Sequence, residues 1–92
     1  MVTVRVQLFA ALREALGRER LDLVVPAEVK VTALKMAIAQ AATAEPEEQQ
    51  HFTRLLTAPN VRLAVNQALT HGAELVLAEG DEVALLPPVT GG

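Results

Sequence analysis

The residues with the clearest chemical potential lie at the C-terminal end of the chain. Val83-Ala84-Leu85-Leu86 runs into Pro87-Pro88, and Val89-Thr90-Gly91-Gly92 follows. The two prolines cannot donate ladder hydrogen bonds and favour an extended conformation, so strand pairing is expected to stop there. Pro88 to Gly92 can then reach roughly 16 Å at about 3.3 Å per residue. Val89 and Thr90 favour extended backbone, and Gly91 and Gly92 have no Cβ to keep another protein's backbone away. This pattern suits the insertion of a terminal carboxylate into a narrow pocket.

A carboxylate with a pKa near about 3.5 is ionised at neutral pH and is a poor electrophile. Attack on Gly92 therefore requires a leaving group, which an acyl-adenylate made from ATP would supply. A sulfur donor could then displace AMP and leave a thiocarboxylate. The chain has no cysteine, so both the sulfur and the activating machinery must come from partners. A bare Gly-Gly could equally be an inert chain end. The strand and the Pro-Pro-Val-Thr stalk before it favour the functional reading.

Little else in the sequence offers chemistry. His51 and His71 are the only histidines; the first reads as a solvated helix residue, the second as part of a turn, and no metal site is expected. Glycines 17, 72 and 80 are isolated, so no phosphate-binding loop is present and ATP should bind the partner. No Ser–His–Asp or Cys–His set is indicated. Arg13 and Arg62 read as surface residues, and Glu45, Glu47 and Glu48 as a solvated helix start.

The elements that must position the tail follow from periodicity. Val2, Val4, Val6 and Leu8 alternate with Thr3, Arg5 and Gln7, as in a half-buried strand. The period then lengthens to four through Leu8, Leu12 and Leu16, predicting a helix that Gly17 ends. Leu21, Leu23 and Val25 give a second strand stopped by Pro26. Thr32 is the expected N-cap of a helix through Ala42, with Leu34, Ile38 and Ala41 buried. Pro46, Glu47 and Glu48 suit a helix's first turn, with Phe52, Leu55 and Leu56 as its apolar stripe before Pro59. Val61, Leu63 and Val65 give a third strand, Leu75 to Leu77 a short one and Val83 to Leu86 the last. The expectation is an α+β domain, a mixed sheet with helices on one face.

The composition sets the remaining bounds. Ninety-two residues with 51% hydrophobic content and only Phe9 and Phe52 as aromatics imply one small domain with an aliphatic core. A net charge of −3 with scattered cations argues against nucleic acid as a partner. No apolar run approaches the roughly 20 residues of a membrane span, and no secretion signal is recognisable. A cytoplasmic protein is expected.

Three stretches resemble a known family. Gly80-Asp81-Glu82-Val83-Ala84-Leu85-Leu86-Pro87-Pro88-Val89-Thr90-Gly91-Gly92 is similar to the C-terminus of molybdopterin synthase small subunits, in the MoaD/ThiS sulfur-carrier family. Leu63-Ala64-Val65-Asn66-Gln67 resembles the family's Ala-Val-Asn-Gln strand end, and Leu8-Phe9-Ala10-Ala11-Leu12-Arg13-Glu14 its first strand-to-helix junction. The resemblance implies a β-grasp, ubiquitin-like fold, globular over 1–87 with a flexible reactive tail at 88–92. It implies that an E1-like enzyme adenylates Gly92, that a sulfur donor protein loads it, and that no cofactor binds this chain. The thiocarboxylate would then enter the large subunit and give sulfur to cyclic pyranopterin monophosphate, within a heterotetramer. Leu86, Pro87, Pro88, Val89, Thr90 and Gly91 would contact the partner. Where family members often carry aromatics before Pro-Pro, this chain has Leu85 and Leu86.

Other functions stay open. A carrier for a different product, such as the thiazole of thiamine, would share Gly-Gly. A ubiquitin-like modifier would lose its activated glycine to a lysine amine, and a passive interaction domain would undergo neither change.

Overall fold

A computed structural model describes residues 1–8, 13–15 and 17–86. Its main sheet is built from β1 (Val2–Leu8), β2 (Arg20–Val25), β4 (Arg62–Val65), β5 (Ala68–Leu69) and β7 (Glu82–Leu86) in the order β2-β1-β7-β4-β5. β1 and β7 are parallel neighbours, and the other pairs are antiparallel. A separate two-stranded sheet joins β3 (Glu28–Lys30) to β6 (Glu74–Val76). Two helices, α1 (Val31–Ala42) and α2 (Pro46–Thr57), follow β3. The expected α+β arrangement and β-grasp fold are what the chain adopts.

The period-two pattern sets the register. Val4 lies opposite Leu23, Val6 opposite both Leu21 and Val83, and Leu85 opposite both Leu8 and Leu63. One face of every long strand is therefore aliphatic. That face joins Leu34, Ile38, Ala39 and Ala42 of α1 and Phe52 and Leu56 of α2 in a single cluster. The helices thus share one side of the sheet. Among the described residues the opposite side stays open, with Arg5 and Asp22 exposed in opposed positions on β1 and β2.

Several expectations need correction. Helix α1 begins at Val31 with Lys30 as its N-cap, and no side chain caps it. Thr32 is not needed, because the Val31 N–H is satisfied by the Ala73 carbonyl at 2.8 Å, from the loop before β6. The buried stripe is Leu34, Lys35, Ile38, Ala39 and Ala42, whereas Ala41 is exposed. β6 begins one residue earlier than expected and ends at Val76. β3 and β5 were not anticipated: with three and two residues they are too short to show a period.

Other local signals act as expected. Pro46 opens α2, Glu47 and Glu48 occupy its first turn and Arg54 its last, which complements the helix dipole. Gln49 Nε2 donates to the Thr43 carbonyl at 2.8 Å and ties α2 to the connection from α1. Residues 13–15 are helical, and Gly17 closes that turn in the left-handed conformation (φ 67°), donating to the Arg13 carbonyl at 2.9 Å. Leu8 belongs to β1 rather than to the first helix, while Leu12 and Leu16 lie outside the described residues.

Candidate functional site: the strand that carries the tail

The tail follows directly from β7. This strand lies in the middle of the sheet, hydrogen-bonded to β1 on one side and β4 on the other. Val83 and Leu85 point into the core and are fully buried, while Ala84 and Leu86 alternate toward the open face and are half-buried. Leu86, the last described residue, pairs with Arg62 of β4. The remaining proposed site residues, Pro87, Pro88, Val89, Thr90, Gly91 and Gly92, lie outside the described residues. The strand feeding the tail is thus held on both edges and anchored by two buried side chains. A support of this kind fixes where a following segment starts.

The other end of β7 is fixed by two turns. Asn66 and Gln67 connect β4 to β5 with φ of 51° and 71°, the left-handed pair expected of a tight hairpin. Asn66 then reaches back: its Oδ1 accepts the Glu82 N–H at 3.0 Å, and its Nδ2 donates to Asp81 Oδ1 at 3.0 Å. Its backbone N–H also donates to the Glu82 carbonyl at 2.7 Å. Asp81 Oδ2 accepts the Ala78 N–H at 2.8 Å, closing the turn at Gly80 (φ 83°). The Ala78 amide, and next the Asn66 amide, hold the Asp81 carboxyl below the usual carboxylate range. Gly80 donates to the Thr3 carbonyl and Arg5 to the Asp81 carbonyl, both at 2.8 Å, so the turn is also sewn to β1.

The two turn motifs therefore meet at the start of β7, at the opposite end of the strand from Pro87. The Ala-Val-Asn-Gln stretch thus bears on the register of β7. Sequence reasoning missed this latch, although the signal was present as an Asn-Gln and a Gly-Asp flanking strands.

The remaining candidates behave as surface residues. His51 is exposed on α2, its ring centroid 5.8 Å from that of Phe52, and His71 is exposed in a turn. Among the described residues no group of three or more His, Cys, Asp or Glu could hold a metal. Arg13 pairs with Glu19 at 3.7 Å, and Arg62 is exposed. No described helix is long and apolar enough to cross a membrane.

Lys35 is the residue that sequence reasoning did not anticipate. Its side chain is buried on α1, only 7% exposed, and Nζ donates to the Val61 carbonyl at 2.8 Å. Burial pushes its pKa down. Its position on the apolar stripe, one residue after Leu34 and three before Ile38, was the available signal.

This arrangement agrees with the chain's likeness to known proteins. Residues 6–92 match the ThiS family. No curated protein matches the chain. Among solved structures, the crystal structure of Haloferax volcanii small archaeal modifier protein 1 is 22% identical (TM-score 0.75; 97% of this chain and 100% of that one covered). The solution structure of its Methanosarcina acetivorans counterpart is 26% identical (TM-score 0.71; 100% and 98% covered). A chain in the complex of subunits 1 and 2 of Helicobacter pylori molybdopterin-converting factor is 23% identical (TM-score 0.59; 99% and 100% covered). The chain belongs to the ThiS family and has the β-grasp fold of these neighbours.

Proposed function

We infer that the chain is the sulfur-carrier subunit of a molybdopterin synthase, with Gly92 as its reactive residue. The observation carrying this reading is the placement of β7. A doubly paired central strand ends at Leu86, directly before Pro87-Pro88, and the family match continues to Gly92. In this reading residues 1–87 form the globular body and 88–92 the reactive tail. Leu86, Pro87, Pro88, Val89, Thr90 and Gly91 contact the partner, and the chain supplies no side-chain catalyst.

The chemistry is then divided among proteins. An E1-like enzyme joins the Gly92 carboxylate to AMP from ATP, giving the carbon a leaving group. A sulfur donor protein displaces AMP and leaves a thiocarboxylate, whose sulfur is a far better nucleophile than a carboxylate oxygen. A large synthase subunit receives the tail, and cyclic pyranopterin monophosphate takes the sulfur. The Helicobacter complex of two molybdopterin-converting-factor subunits, together with the Pro-Pro-Val-Thr-Gly-Gly ending, supports this choice of pathway. A heterotetramer in the cytoplasm is the corresponding assembly.

A second reading has its own support, since the 26% identical neighbour is described as a small archaeal modifier protein. There the activated glycine would acylate a lysine of another protein. Intact-protein mass spectrometry on material from the native host separates the two and also tests whether Gly92 is the mature terminus. Replacement of one oxygen by sulfur at Gly92 supports the carrier. Conjugates carrying this chain in amide linkage support the modifier. An unmodified carboxylate in sulfur-replete cells overturns both.

A further inference from the structure

Among the described residues β2 forms one outer edge of the main sheet and pairs with β1 alone. The Leu8 N–H donates to the Glu19 carbonyl at 2.9 Å, and this fixes the phase of the ladder. Leu21, Leu23 and Val25 then bond to β1, while the N–H and C=O groups of Arg20, Asp22 and Val24 point outward. The 6-residue strand is an extended edge with neither lysine nor proline inside it to discourage pairing.

The side chains of this edge are complementary to themselves. Arg20, Asp22 and Val24 are exposed on the open face of the sheet, and Asp22 lies 4.0 Å from Arg5 of β1. When two copies of β2 pair antiparallel about a two-fold axis, the outward groups match even-numbered residues with even-numbered ones. An axis at Leu21 places Arg20 opposite Asp22 of the second copy, and Asp22 opposite Arg20 of the second copy. An axis at Arg20 opposes two arginines and one at Asp22 opposes two aspartates, both disfavoured by like-charge repulsion. An axis at Leu23 faces Asp22 with Val24. Charge therefore selects the Leu21 axis. Arg5, Asp22 and the second copy's Arg20 then form a row, repeated by symmetry, so the pairs belong to a network.

There is room for an incoming strand. A surface depression of about 320 Å³ is lined by Arg18, Arg20, Leu21 and Asp22 together with Ala41, a small exposed residue of α1. An edge of 6 residues falls short of the roughly 20–30 residues a side of a stable interface, so the association is weak and depends on concentration. At the other edge of the sheet β5 has only 2 residues, so pairing stops at two copies.

We propose that β2 is a self-association strand: two copies join edge to edge about Leu21 into one continuous sheet, held by the outward backbone groups and by reciprocal Arg20–Asp22 pairs. β1 separates β2 from β7, so the strand that precedes the tail keeps its open face uncovered in both copies. The pairing is independent of any modification of Gly92.

The test uses the full-length chain at low salt, followed by sedimentation equilibrium and by amide NMR shifts up to about 1 mM. The expected result is a dimer whose formation shifts the Arg20, Asp22 and Val24 amides and which weakens as salt rises. R20D leaves two acidic residues on the edge and D22R two basic ones, so each alone should dimerise at least about tenfold more weakly than wild type. Mixed together, the two variants should associate at least about tenfold more tightly than either alone, because opposite charges then face each other on both sides of the axis. Both substitutions are at exposed positions, and the wild-type shift map stands without them. A chain that stays monomeric at about 1 mM overturns the proposal, even if its edge takes up an extended peptide of another protein. So do shifts centred elsewhere, beside Leu69 or Met36, and a mixture no tighter than its components.

Discussion

Asn66 and Asp81 are hydrogen-bonded across 15 residues of sequence, Nδ2 to Oδ1 at 3.0 Å, and together they fix the start of the strand whose far end carries the tail. Both lie at the opposite end of β7 from Leu86, so they act on that end through the register of the strand.

Substitution at Asn66 separates backbone strain from hydrogen bonding. Asn66→Ala loses the bonds to Asp81 and Glu82 and places a Cβ-bearing residue without local compensation at φ 51°. A loss of about 1–3 kcal/mol is expected in urea unfolding. Asn66→Gly, which tolerates the left-handed conformation, should lose less. Equal losses would mean that the backbone conformation contributes little.

Asp81 makes the stability of the fold depend on pH on the acid side. Its folded pKa lies below the ordinary 3.8, because the Ala78 amide and Asn66 favour the carboxylate. The folded state therefore binds fewer protons than the unfolded chain between the two values. The stabilisation is fully present above the unfolded value and is lost as pH falls through the folded one. In Asp81→Asn this part of the acid-unfolding profile should disappear, which chemical denaturation from pH 6 down to about pH 2 would detect.

Lys35 predicts the alkaline counterpart. Burial lowers its folded pKa below the ordinary 10.5, so the unfolded chain again binds more protons between the two values. Stability should rise as pH climbs through the folded value and level off above 10.5. Lys35→Met, similar in length and without charge, should flatten this rise; it fills the space but leaves the Val61 carbonyl unpaired, so its cost near neutrality should be smaller than that of Lys35→Ala. Lys35→Ala should instead cost about 2–5 kcal/mol by opening a cavity and leaving the Val61 carbonyl unpaired. A wild-type profile identical to that of Lys35→Met from pH 7 to about pH 11 would refute the assignment.

Fold and function should separate along β7. Leu85→Ala removes a fully buried side chain and should cost about 2–5 kcal/mol. Leu86→Ala, on the half-buried open face, should cost about 1 kcal/mol while weakening partner binding. Deletion of Gly92 should leave the unfolding midpoint unchanged and abolish sulfur loading. A truncated chain that still supports molybdopterin formation with the large subunit would rule out the terminal-carboxylate mechanism.

By itself the sequence determined the long strands and both helices of the described region, and it alone carries the proposal of a reactive tail, whose residues 87–92 lie outside the described ones. Alternation in Val2–Leu8 and Leu21–Val25 and Pro46 with its acidic turn are local signals, and each acts through its neighbours in the chain. Tertiary structure decided what depends on distant groups. Lys30 rather than Thr32 begins α1, because Ala73 satisfies the first amide from a loop 42 residues away. Lys35 becomes a core residue because the Val61 carbonyl is brought to its amine. The pairing of β7 with both β1 and β4 likewise has no signature in its five residues, since a parallel neighbour and an antiparallel one impose the same alternation. That pairing is what makes the strand preceding the Pro-Pro and Gly-Gly residues a fixed, central one.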